Sequence, residues 1–209
     1  MPEFIIRAVE QVAFEARSDS RVDKRSGVSQ RLPISVIENV ASNAERRRLL
    51  TREERAVPRI SDIYAALPSI TGKLELEYEG EQRGAANVGR DLVRTAIGKT
   101  FEAFFGHIDC SKVIQWFDDG GALRVGDTDS AELCLKSFRR VGGLLEAVAQ
   151  SRLADKSHTE VVVAACELVL EGLHAQKKIS RSEERGYAAA KPEPRGYGYE
   201  SFSRSRKIN

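Results

Sequence analysis

Gly27-Val28-Ser29-Gln30-Arg31, with Pro33 two residues on, is the run whose residue types and spacing point most directly at a ligand. A turn-prone Gly-Ser segment ends on an arginine, and proline then suits the first turn of a helix. That order sets a forked, permanently charged donor at a helix start, where it suits a phosphate. A lone arginine after such a loop also reads as a solvated surface charge, and at this point both readings stand.

Other candidate groups carry less. Ile70-Thr71-Gly72-Lys73-Leu74-Glu75 holds a scrap of a phosphate loop. The full pattern needs a glycine five residues before the Gly-Lys pair and Ser or Thr after the lysine for magnesium. Those places hold Leu67 and Leu74, so a turn is expected. Asp118, Asp119, Asp127 and Asp129 lack the alternating spacing of a calcium loop and read as turn and cap residues. His107, Asp109 and Cys110 lie close together, but no second cluster completes a metal-ligand set. No serine or cysteine nucleophile pairs with a histidine on sequence grounds. Cys110, Cys134 and Cys166 are far apart and form no CxxC pair, which supports neither a disulfide framework nor a zinc knuckle. A reducing, cytoplasmic setting is the expectation.

These residues need elements to position them. Ile5, Val9, Val12 and Ala16 make a helical stripe over 3–17. Pro33 opens a second helix with Val36, Ile37, Val40, Ala41 and Ala44 inward, and its far end, ERRRLLTREER, is dense in arginine. Pro58 begins a third, shorter helix that stops at Pro68. KLELEYE at 73–79 alternates strictly, which favours a strand, with a helix begun at Thr71 as the rival. Residues 85–105 predict a strong helix with Val88, Leu92, Ile97, Phe101 and either Phe104 or Phe105 buried. VIQWFDDGGALRVGD predicts two short elements around an Asp-Gly turn. Asp129 to Glu132 fits a capping box for a helix reaching about Ala149, weakened or kinked at Gly142-Gly143. Ser157 to Glu160 fits a second box, opening a helix to about His174.

With 209 residues, 41% hydrophobic and 31% charged, the chain reads as globular and mainly α-helical. The apolar run VVVAAC at 161–166 belongs to an amphipathic stretch and is too short to span a bilayer. MPEFIIRAVE mixes acid and base, unlike a secretory signal. The net charge of +2 is uneven: residues 176–209 hold nine Lys/Arg and four Asp/Glu, and the rest is mildly acidic. Whole-chain basicity therefore does not argue for nucleic-acid binding by the fold. The tail beyond 176 is expected to be disordered. Its last part, RGYGYESFSRSRKIN, interleaves aromatics with arginines as single-stranded RNA binders do, a weak signal at this length.

EFIIRAVEQVAFEARSDSRVDKRSGVSQRLPISVIENVASNAERRRLL, followed by PRISDIYAALPSITGKLELEYEGE, resembles the C-terminal part of AAA+ ATPases of the magnesium chelatase subunit I and MoxR group. Gly27-Val28-Ser29-Gln30-Arg31 matches that group's Gly-Ala-Ser-x-Arg sensor-2 motif, with Val for Ala. The resemblance is specific over about 1–80 and looser to about 150. It implies a AAA+ lid-type helical domain at 1–70 followed by a helical region at 71–175, and it does not cover the tail at 176–209. It also implies that Arg31 meets nucleotide, with Gly27 and Ser29 shaping its approach. ATP and magnesium would bind only in a complete ATPase, because the family's phosphate loop, acidic metal strand, sensor 1 and arginine finger precede the lid and do not occur here. The chain is thus expected to be the C-terminal portion of such an ATPase and not catalytic alone. The implied partners are an upstream AAA+ core or ring neighbours, and a von Willebrand A-type subunit. The implied parent activity is metal insertion or protein remodelling. The competing expectation is a stand-alone helical interaction module that keeps the lid fold as a scaffold and whose basic tail contacts a partner or RNA.

Overall fold

The computed structural model describes residues 1–153, 158–182 and 186–190. Within them the chain is mainly helical, and no helix is long and apolar enough to cross a membrane.

Helix α1, Glu3–Ser18, buries Ile5, Val9, Val12 and Ala16, the stripe its periodicity marks out. Helix α2, Arg31–Thr51, follows a loop and buries Leu32, Val36, Val40 and Ala44. Two short helices come next, α3 at Ile60–Ala65 and α4 at Leu67–Thr71. Pro68 does not stop the run as expected. It sits in the first turn of α4, where a missing N–H costs nothing.

The alternating segment 73–79 forms neither a full strand nor one helix. Leu76 makes a single antiparallel bridge to Val22, and Tyr78 then begins α5, Tyr78–Arg83. A strand needs a row of partners, and among the described residues only the 21–23 loop lies alongside: Asp23 N–H reaches Glu75 O at 2.9 Å, and Glu77 N–H reaches Arg21 O at 2.9 Å. Leu74 and Leu76 lean on Ala16, Val88 and Leu92, so half of the alternation is satisfied.

Helix α6, Ala85–Phe105, lies between α1 and a later helix, α10, Thr159–Ala175, and has its most extensive packing with these two. Between them come α7, Ser111–Asp118, α8, Ala131–Phe138, and α9, Leu144–Ser151. The helix expected from 129 to 149 breaks after Phe138 and restarts at Leu144, with Gly143 at φ +81°. Its N-cap is Ser130, whose hydroxyl accepts from Leu133 N–H at 3.3 Å, rather than Asp129. Asp129 instead accepts from Gly126 N–H at 2.7 Å.

α10 is not the amphipathic helix its sequence suggests. Every residue from Val163 to Leu173 is buried, including Glu167 and Glu171. A helix buried on all sides belongs at the centre of a packed domain. Its N-cap is His158; Ser157, proposed for that cap, lies outside the described residues.

The region from 176 onward was expected to be disordered. Its described part carries an antiparallel hairpin, β1 at Ile179–Ser182 and β2 at Gly186–Ala189. Ile179 and Tyr187 are buried, and Tyr187 exchanges both backbone hydrogen bonds with Leu123 at 3.0 and 2.8 Å. The aromatic-arginine stretch RGYGYESFSRSRKIN lies outside the described residues. One apolar core runs from Phe4 to Tyr187 and takes in both Ile70 and Val93, so it continues across position 70.

Candidate functional site

Arg31 is the first residue of α2. The approach is shaped as the residue types require. Gly27 takes a left-handed conformation, φ +68°, which glycine adopts without steric penalty, and nothing stands within 4 Å of where a Cβ would be. Val28 packs against the core and anchors the turn. Ser29 closes it, its Oγ accepting from Arg31 N–H at 3.1 Å and its carbonyl from Leu32 N–H at 3.0 Å. Leu32 is fully buried and fixes the helix start, and Pro33 occupies the third helical position, where its N–H would be free in any case.

The loop before this turn is fastened from outside. Asp23 accepts from Arg25 N–H at 2.7 Å and from Ser26 Oγ at 3.1 Å, and Ser26 also donates to Glu75. Arg21 grips Asp19 through Nε and Nη2 at 2.9 and 2.7 Å and reaches Asp91 on α6 at 2.9 Å. The Arg21 hydrogen bond holds the Asp19 carboxyl below the usual carboxylate range. Burial pushes Asp91 up, but Arg21, Arg83 and Arg94 together bring it below that range.

The electrostatics at the tip are unbalanced. Arg31 is exposed and its side chain has no hydrogen bond or ion pair among the described residues. The first turn of α2 contains no acid, and the N-cap, Gln30, makes no side-chain cap bond. A helix start carries partial positive charge and prefers acids. Here it carries an arginine instead, an arrangement that an incoming anion relieves.

The remaining sequence candidates scatter. Gly72 is the C-cap of α4, with φ −71°, and Lys73 is exposed beyond it, so that pair ends a helix rather than wrapping a phosphate. Asp118 and Asp119 end α7, and Asp109 starts it by accepting from Ser111 N–H and Oγ at 2.8 and 2.9 Å. Among the described residues no three His, Cys, Asp or Glu side chains group as metal ligands. All three cysteines are buried and free. Burial pushes their thiols up, Cys134 to about 11, which removes the thiolate a nucleophile needs.

Sequence reasoning missed a buried charged network. Arg47 grips Asp62 with two bonds of 2.7 and 3.0 Å, and Asp62 also accepts from Arg59 N–H at 2.8 Å. Arg59, 1% exposed, donates to Asp129 O at 2.9 Å and contacts Cys134 Sγ at 3.3 Å and Glu53 at 3.4 Å. Glu167 and Glu171, one turn apart on α10, meet Ser61 and Tyr64 of α3. In the sequence these were ordinary charges in charged segments. The one legible signal was two glutamates inside an otherwise apolar run.

Comparisons with family models, with curated proteins and with solved structures find no match to this chain.

Proposed function

We propose that this chain is the lid and following helical region of a AAA+ ATPase of the magnesium chelatase subunit I/MoxR type. In this reading Arg31 is presented to a nucleotide held by a separate ATPase core. The observation that carries it is the exposed guanidinium of Arg31, unpaired among the described residues, on an acid-free helix start preceded by the Gly27 turn and the Ser29 brace. A forked cation at that place is matched to the γ-phosphate oxygens, and the helix dipole adds to the attraction. Nucleotide and magnesium bind in the core, and hydrolysis there drives metal insertion or protein remodelling. The chain alone supplies neither phosphate cradle nor metal acid, so it does not turn over ATP.

The test joins this chain to the ATPase core of a magnesium chelatase subunit I-type protein whose own lid has been removed. The fusion should hydrolyse ATP. Arg31→Ala should lower turnover about ten-fold or more, the worth of one charged transition-state contact of roughly 1.5–3 kcal/mol. Arg31→Lys should recover part of the loss, because an ammonium lacks the forked geometry. The melting temperature should not move with either variant, since a solvated arginine adds little stability. Unchanged turnover in Arg31→Ala would reduce the residue to a surface charge. Saturable hydrolysis by the isolated chain would remove the lid reading altogether.

A further inference from the structure

A cleft of about 610 Å³ opens between α3, α6, α10, the hairpin and the 124–127 loop. Residues 27–31 do not line it, so it is separate from the Arg31 tip. Glu167, 5% exposed, lines it from below. Its Oε2 accepts from Ser61 N–H and Oγ–H, both at 3.1 Å, while Oε1 has no partner among the described residues. Glu171, beside it, is saturated: Tyr64 Oη, Tyr187 Oη and Arg181 all donate to it. The Arg181 guanidinium lies 5.2 Å from the Tyr64 ring centre and 5.5 Å from that of Tyr187, so it belongs to the wall.

Four arginines and four acids line the cleft, and two of the arginines are uncommitted among the described residues. Arg94 pairs with Asp91 at 3.0 Å, but the same carboxylate also serves Arg21 and Arg83. Arg90 and Arg124 are exposed on the lining, and their side chains have no hydrogen bond or ion pair among the described residues. Asp127 is the remaining acid of the lining.

We propose that this cleft binds a small hydroxylated organic phosphate, its phosphate on Arg90 and Arg124 and a hydroxyl on Glu167 Oε1. Guanidinium forks match phosphate oxygens, and this cleft holds two of them with no competing partner among the described residues. A hydroxyl fits Oε1 in either protonation state, donating to the ionised carboxyl or accepting from the protonated one. The volume falls within the range of small-molecule sites and takes a molecule of sugar-phosphate size.

The test follows backbone amides by NMR while glycerol 3-phosphate is added to the full chain. Shifts should gather at Arg124–Asp127, Ser182 and Gly186, with saturation below about 10 mM. Arg90→Ala and Arg124→Ala should each weaken binding about ten-fold, whereas Arg46→Ala on α2 should leave it unchanged. Methyl phosphate, which lacks hydroxyls, should bind about three- to ten-fold more weakly, the value of one hydrogen bond. Equal affinity for the two phosphates would remove Glu167 from the site. No saturation, or binding indifferent to both arginines, would overturn the proposal. Shifts confined to Gly27–Leu32 would overturn it too while favouring phosphate capture by Arg31, so the two readings fail separately.

Discussion

Glu167 and Asp62 are both buried carboxylates, yet their surroundings give them opposite roles in stability. Asp62, 4% exposed, has three donors, two of them from Arg47. Asp62→Ala strands the buried Arg47 charge and should cost about 3–5 kcal/mol, because an uncompensated buried ion is far worse than a lost surface pair. A fall in the urea midpoint at unchanged slope is the measurement, and a loss no larger than that of a surface pair would show that Arg47 finds another partner. Glu167 has one side-chain donor and one backbone donor, both from Ser61, and burial pushes its carboxyl up from about 4.5, against the lowering pull of Arg59. Below the unfolded value both states hold the proton. Above it the unfolded chain releases the proton while the folded carboxyl retains it, so Glu167 subtracts stability as pH rises, until the folded group titrates. Asp19 and Asp91 act the other way. Their folded values lie below 3.8, so their contribution is present above that pH and lost as pH falls through the folded values. Glu167→Gln should therefore flatten the decline on the neutral side and leave the acid side unchanged. Denaturation midpoints from about pH 3 to about pH 8 test this, and a parallel shift of the whole curve would refute the assignment.

At the scale of elements, the crossing of α6 and α10 decides how closely the two central helices approach. Gly172 lies in the interior of α10, where alanine would ordinarily gain about 1 kcal/mol of helix stability. A Cβ there would stand 2.1 Å from Phe101 Cγ and 2.4 Å from Phe101 Cβ. Phe101 is itself buried and stacked on Phe105 at 5.6 Å between ring centres, so the root of its side chain has nowhere to move. Overpacking costs about 1–3 kcal/mol and outweighs the propensity gain. Gly172→Ala should thus lower the melting temperature. Gly98→Ala, whose Cβ would meet Ala175 Cβ at 3.0 Å, should lower it less. A melting temperature raised by Gly172→Ala would mean that α6 and α10 pack less closely than described.

Across the whole molecule, the hairpin ties the end of the described chain back to its centre. Tyr187 is joined to Leu123 through the backbone and to Glu171 through its hydroxyl, and Arg181 completes the pairing of Glu171. Among the described residues, truncation after Lys178 removes two buried side chains, Ile179 and Tyr187, and leaves Glu171 with Tyr64 alone of three donors. The loss should be about 4 kcal/mol or more, from lost apolar burial and a stranded charge together. Tyr187→Phe keeps the packing and removes one donor, so it should cost only about 1–3 kcal/mol. Thermal melts of both variants separate the contributions, and equal losses would mean that the hydroxyl carries the hairpin's whole effect.

Periodicity along the chain determined α1, α2 and α6 nearly to their ends, because an amphipathic helix writes its buried face into residue spacing. Residue type, rather than spacing, marked the weak point at Gly142-Gly143 and the turn-and-arginine order at 27–31. What the sequence left open turned on contacts between distant residues. The alternation at 73–79 favoured a strand over a helix, but a strand exists only where a partner lies alongside, and among the described residues the segment forms one bridge, to Val22. The polar segment after 176 looked too poor in apolar residues to order itself. Its described strands do not stand alone: Leu123, far back in the chain, supplies backbone partners, and Glu171 on α10 supplies a charge partner. The same reason hid the cleft. Glu167 and Glu171 on α10, Ser61 and Tyr64 on α3, Arg90 on α6 and Arg124 on its loop share no local pattern, since side chains from separate elements meet only when the core has brought those elements together.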